Sequence, residues 1–160
     1  MPLLHSTPDP SVEVQLHDTA CGAACIVMLA ADRGIVLDQR PIADRILPSA
    51  QLPEALRRFG GLQADEFVRL LAKATRRKWK GGNLEIAPDE VEDAARGIST
   101  GGSWAALIGP RKKGHWVVVD RVDAQDMIHL RDPSGHRRSL WLRNFCKIWA
   151  PGYIEVLEVP

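Results

Sequence analysis

The run "HWVVVDRV" at residues 115–122, followed closely by "MIHLRD" at 127–132, most constrains how this chain folds. Both runs are β-branched or alternating, and charged or turn-forming residues close each one, which is the pattern of short strands. "SWAALIG" (103–109) precedes them in the same style. "RRSLWLRNFCKIW" reads as a strand end and one further helical turn, and "GYIEVLEV" as a final strand.

The first half has a different period. "CGAACIVMLAADRG" places apolar residues on most faces, with Gly34 as a C-cap, and so predicts a largely buried helix. In "ADEFVRLLAKATRRKWK", Phe67, Leu70, Leu71 and Ala74 form one apolar stripe, with "RRKWK" (76–80) closing the helix. "PDEVEDAARG" has Pro88 at a helix start, acids in the first turn and Gly97 at the end. Residues 38–59 carry short helical pieces broken by Pro41, Pro48 and Pro53, and residues 1–12 form an N-terminal arm leading into an extended "SVEVQL". Helices first and strands afterwards make an α+β domain, with an N-terminal helical half packed on a C-terminal antiparallel sheet. One domain over residues 1–160 is expected from the length.

Charge and composition narrow the classes. The 160 residues are 45% hydrophobic and 26% charged with a net charge of +1, which carries no electrostatic signature of nucleic-acid or membrane binding. The opening "MPLLHSTPDP" lacks the basic and apolar regions of a signal peptide, and no apolar run is long enough to span a bilayer. A cytoplasmic site of action is therefore expected. Cys21, Cys25 and Cys146 are an odd set without a secretion signal, which argues for reduced thiols over a disulfide framework. The C-x3-C spacing has no second cysteine pair to complete a zinc site, although His5 and His17 are near, and no metal or cofactor is assigned.

Cys21 heads the first helix, where unpaired N–H groups and the helix dipole stabilise a thiolate. Gly22 would let a substrate carbonyl approach the backbone. The Cys21 N–H and the side-chain amide of Gln15 could then receive an oxyanion. The same residues also fit a buried helix start and a surface glutamine, and the two readings stand level on these positions alone. A thiolate needs a base, and His115 is the best placed of five histidines, at the head of the most apolar strand. His129 reads as a strand residue on the wetter face, and His17 and His136 as solvated. Asp132, in "RDPSG", ends the next strand. An antiparallel pairing would set it beside His115, where it could fix the ring tautomer. Asp120 and Asp123 are alternatives that lie further from His115.

"QLHDTACGAACIVMLAADRGI" resembles the opening of the C39 peptidases, papain-like cysteine proteases with a Gln-x5-Cys-Gly pattern. "GHWVVVDRVD" and "IHLRDPSG" look like that family's His strand and Asp-Pro turn, and "LWLRNFCKIWAPGYIEVLEV" is similar to its ending. The resemblance implies a papain-like fold with Cys21 as nucleophile, His115 as general base and acid, Asp132 as orienter and Gln15 as oxyanion donor. It implies cleavage after a Gly-Gly pair in a protein or peptide substrate. Gly22, Trp116, Lys112 and Lys113 are the expected substrate contacts; "RKK" (111–113) would flank the cleft and meet acidic substrate residues. The chain departs from the exporter-linked members in lacking a transmembrane segment, and residues 38–102 match no motif of the family. That departure favours a toxin domain injected into a target cell, with a cognate immunity protein, over removal of leader peptides. Deamidation by the same triad and a silent peptide-binding module are the other readings.

Cys25 and Cys146 read as packed small hydrophobes. Gly-Gly pairs at 60–61, 81–82 and 101–102 read as loop and cap punctuation.

Overall fold

The computed structural model describes residues 5–46, 48, 51, 62–109, 114–150 and 153–160. Within them, seven strands form one antiparallel sheet: β1 (His5–Pro8), β2 (Trp79–Asn83), β3 (Trp104–Ile108), β4 (His115–Val122), β5 (Met127–Asp132), β6 (His136–Trp141) and β7 (Ile154–Glu158). The spatial order is β1-β6-β5-β4-β3-β7-β2. The helices are α1 (Cys21–Ala31), α2 (Arg40–Ala43), α3 (Ala64–Thr75), α4 (Val91–Ser99) and α5 (Leu142–Ile148).

Helices cover both faces of this sheet, which explains why "WVVV" is continuously apolar. Trp116 and Val118 point into a cluster with Cys25, Ile26 and Leu29 of α1 and Phe67 and Leu71 of α3. Val117 and Val119 point into a second cluster with Val91 and Ala95 of α4 and Leu142 and Phe145 of α5. Side chains alternate across a strand, so a strand buried on both faces loses its polar positions. Burial of each such valine contributes about 1.5–3 kcal/mol.

The mixed helix and antiparallel sheet architecture agrees with the α+β expectation, but strands from the first half also join the sheet. The expected extended stretch 11–16 is not a strand; the arm instead contributes β1, which pairs with β6. "RRKWK" does not close a helix. α3 stops at Thr75, Arg76 takes a left-handed conformation at φ 55°, and Trp79 begins β2 against β7. Trp79 decides this locally: its indole N–H donates to Thr75 Oγ1 at 2.9 Å, and the Arg33 guanidinium lies 4.6 Å from its ring centroid. Gly81 is a strand residue, not punctuation. A Cβ there would stand 2.7 Å from Val68 Cγ2, so only glycine lets α3 pack this close. Gly97 lies inside α4, which runs on to Ser99. Of the helical pieces expected over 38–59, α2 is observed; residues 47, 49, 50 and 52–61, including Gly60 and Gly61, lie outside the described residues.

Among the described residues no helix is long and apolar enough to cross a membrane.

Candidate active site

Cys21 is the first residue of α1 and is 6% exposed. A tight turn delivers it. The Ala20 N–H donates to His17 O at 3.1 Å, and the Thr19 N–H reaches His17 Nδ1 at 3.4 Å. With Nδ1 accepting, His17 Nε2 carries the proton and donates to Ala43 O at 3.0 Å. His17 is therefore a bracket between this turn and α2 rather than a solvated side chain.

The sheet brings the second group. β4 and β5 run antiparallel in the register Val118↔Arg131, which places the head of β4 beside the end of β5. His115 Nε2 stands 2.8 Å from Asp132 Oδ1. That leaves Nδ1 as the ring nitrogen for the hydrogen bond between His115 and Cys21. The next backbone N–H, that of Trp116, also points at Cys21 Sγ, 3.5 Å away. Cys21, His115 and Asp132 are thus gathered from a helix start and two strand ends, in the thiol–imidazole–carboxylate order.

The electrostatics are those of a strongly coupled group. Burial pulls the His115 imidazole down, but hydrogen bonds and charge from Asp132 and Cys21 outweigh it and push the ring up to about 10. Burial likewise opposes ionisation of Asp132, yet contact with His115 and the hydrogen bonds from Ser134 hold its carboxyl well below the ordinary range. Asp132 is 5% exposed and accepts at both oxygens: Oδ1 from His115 and the Ser134 N–H (2.9 Å), Oδ2 from Arg138 Nε (2.7 Å).

Gln15 sits on the segment leading to this turn. Its backbone N–H donates to Pro133 O at 2.9 Å, so the segment is laced to the turn after Asp132. Its side-chain amide donates one hydrogen to His17 O at 2.9 Å, which leaves a second amide hydrogen on that nitrogen. Gln39, which carries no motif in the sequence, proves central here. It is 3% exposed; its Oε1 accepts from the Leu16 N–H at 2.9 Å, and its Nε2 donates to Val14 O at 2.8 Å and Glu13 Oε1 at 3.0 Å.

Two expected substrate contacts are placed differently. The Trp116 indole is 2% exposed, stacked edge-on with Phe67 at 4.8 Å and donating to Leu62 O at 2.8 Å. It is core, and only its backbone N–H serves the site. Gly22 does not open a path for a carbonyl on its Cβ side, where an added Cβ would meet Leu62 Cβ at 2.9 Å and Trp116 Cδ1 at 3.3 Å. Its missing side chain lets the core close on the first turn of α1. Lys112 and Lys113 lie outside the described residues.

The other polar candidates have structural partners. His129 bridges Asp123 Oδ2 and Ser139 Oγ, both at 2.8 Å. Asp120 pairs with Arg131 at 2.8 Å. Cys25 is fully buried in the α1 cluster, and burial with the nearby Cys21 and Asp132 charges pushes its thiol well above its ordinary value. Among the described residues no group of three or more histidine, cysteine or acidic side chains is arranged to hold a metal ion.

Solved structures share this fold. The chain superimposes on a C39-like peptidase of Bacillus anthracis, described as putative, with a TM-score of 0.68 at 15% identity, covering 98% of both chains. It superimposes on the peptidase domain of Streptococcus ComA, a bi-functional ABC transporter of a quorum-sensing pathway, with a TM-score of 0.65 at 15% identity, covering 92% of this chain and 96% of that one. The fold is that of the C39 peptidase domains. In sequence, the chain is 29% identical over 144 residues to Cysteine protease effector 1 of Escherichia coli O1:K1:H7. The match takes in 88% of this chain but only 26% of that protein's length. No protein-family model matches the chain.

Proposed function

We propose that the C39-like chain is a cysteine endopeptidase. The observation that carries this is the line from Cys21 Sγ through His115 to Asp132 Oδ1, in a fold otherwise found in C39 peptidase domains. In this reading the Cys21 thiolate attacks the scissile carbonyl carbon. The oxyanion that forms is received by the Cys21 backbone N–H and the second hydrogen of the Gln15 amide. His115 then gives its proton to the departing amine, and water, deprotonated by the same ring, releases the acyl group. Asp132 keeps Nε2 protonated and the ring in plane.

The finer reading is cleavage after Gly-Gly in a protein that the chain meets inside a target cell. The relative named as an effector supports delivery, and the Gln-x5-Cys-Gly resemblance to the C39 peptidases implies the double-glycine preference. The substrate cleft would then be the surface that a cognate immunity protein plugs. N-terminomics on cells expressing the wild type or Cys21→Ala tests both levels. New protein termini that need Cys21 and follow Gly-Gly are expected. Termini that need Cys21 but follow other residues overturn the specificity alone, and no Cys21-dependent termini overturn the peptidase.

A further inference from the structure

Asp132 is held from a side that the triad does not use. We infer that Arg138 is a positioning residue of this site, acting through Asp132 on the His115–Cys21 pair. The inference rests on the peptidase reading.

A carboxylate held by one hydrogen bond can swing about its terminal torsion, which is broad for aspartate. Asp132 is not free to do so. His115 and the Ser134 N–H fix Oδ1 while Arg138 Nε fixes Oδ2 at 2.7 Å. The arginine is itself braced at two more points, donating from one terminal nitrogen to Ser6 Oγ of β1 at 2.9 Å and from the other to Ser134 Oγ at 3.4 Å. Its planar fork matches this task, since three of its nitrogens meet three fixed acceptors. Arg138 is also independent of the arginines beside it. Arg131 is engaged by Asp32 and Asp120, and Arg137 by Asp9 and Asp120. The carboxylate plane, and with it the imidazole plane, is thus set from the edge of the sheet through β6 and β1.

The charged and titratable groups around the pair come from each neighbouring element. They are His115 from β4, Cys21 and Cys25 from α1, and His136 across the ladder in β6, which contacts Ser134 Oγ at 3.3 Å. Two physical effects of removing Arg138 have opposite signs. Loss of a cation alone would stabilise the imidazolium and move loss of its proton to higher pH. Loss of positioning would let the carboxylate turn away, weaken the imidazolium and move that proton loss to lower pH.

The rate of Cys21 alkylation by iodoacetamide, followed by mass spectrometry across pH, reads this without a substrate. In Arg138→Met the alkaline inflection, which reports loss of the His115 proton, should fall by on the order of one pH unit. Arg138→Lys, which keeps the charge and one donor, should give a shift of the same sign and smaller size. It carries the test by itself if the methionine variant does not fold. An alkaline inflection that stays put or rises overturns the proposal. The wild-type profile judges the underlying reading separately. If wild-type Cys21 reacts no faster than Cys146 at about pH 6, the peptidase reading fails. The NMR titration of the His115 ring, wild type against Arg138→Met, then decides the Arg138 proposal by the same sign: a lower His115 pKa in the variant upholds it, and an equal or higher one overturns it.

Discussion

Asp132 Oδ1 lies 2.8 Å from His115 Nε2, and the two residues belong to paired strands, so a ladder of backbone hydrogen bonds and not a loop sets their distance. This gives the site a rigid base and ties its protonation to the stability of the fold.

The first prediction follows from that tie. Against the opposing pull of burial, contact with Asp132 and Cys21 pushes the His115 imidazole up from 6.5 to about 10 on folding, so folding favours its proton. Stabilisation from a raised base is complete below 6.5 and fades as pH climbs through 10. Asp132 works at the other end: its depressed carboxyl stabilises the fold above 3.8, and this is lost as pH falls further. Urea unfolding of wild type and His115→Ala at a series of pH values checks the sign. The gap in favour of the wild type should be wide near pH 6 and should narrow toward pH 10. A gap that stays constant across that range would sink the coupling.

A second prediction concerns Gln39. Its amide satisfies one backbone N–H and two oxygens of the segment 13–16, which carries Gln15. At about 1 kcal/mol net per hydrogen bond, Gln39→Ala should cost ~2–3 kcal/mol. The loss should be local as well as global. Hydrogen exchange at the Leu16 amide should accelerate more than exchange in β4. Equal protection of Leu16 in both proteins would show that something else holds the segment.

How far these features were legible in the sequence depends on where their causes lie. β4 and β5 were legible because their composition belongs to strands, and the pairing of His115 with Asp132 followed from a short turn between them. The start of α1 at Cys21 was legible from the apolar run behind it. β2 was not. Its "WKGGN" has two glycines and a lysine, and what makes it a strand is distant: β7 beside it, Thr75 and Arg33 on Trp79. β1 was hidden in the same way by Pro8, tolerable on an edge strand and otherwise a sign of a loop. Gln39 and Arg138 were hidden because a lone polar residue has no period and no spacing. Their meaning comes entirely from what the fold sets against them.

Gly22 gives a third prediction, about packing. A methyl group there would stand 2.9 Å from Leu62 Cβ and 3.2 Å from Leu62 Cδ2, too close without movement. Leu62 can retreat only by disturbing the hydrogen bond between its carbonyl and the Trp116 indole. Gly22→Ala should therefore destabilise by about 1–3 kcal/mol, in the range of overpacked cores. Tryptophan emission should shift toward the red as the Trp116 ring gains water. Unchanged stability and emission would mean that the first turn of α1 has more room than these distances allow.

Glu155 supplies the last prediction, and its sign is opposite to that of His115. The residue lies on β7 between β3 and β2, is 1% exposed, and its Oε2 has no hydrogen-bond partner among the described residues. Burial pushes its carboxyl up to about 7, only partly eased by its own backbone N–H and the charge of Lys80. An acid with a raised pKa burdens the folded state once the unfolded chain can shed the proton. The penalty is absent below 4.5, grows as pH rises, and is complete above about 7. Glutamine has the shape of the protonated form and cannot ionise. Glu155→Gln should thus match the wild type near pH 4.5 and exceed it at pH 8 by ~1–3 kcal/mol, the cost of burying an unsatisfied polar group. For a chain of this length that is a rise in Tm of several degrees, readable by calorimetry. If the variant instead loses stability at pH 8, then Glu155 is ionised and paired in solution, and its carboxylate is part of what holds β2 to the sheet.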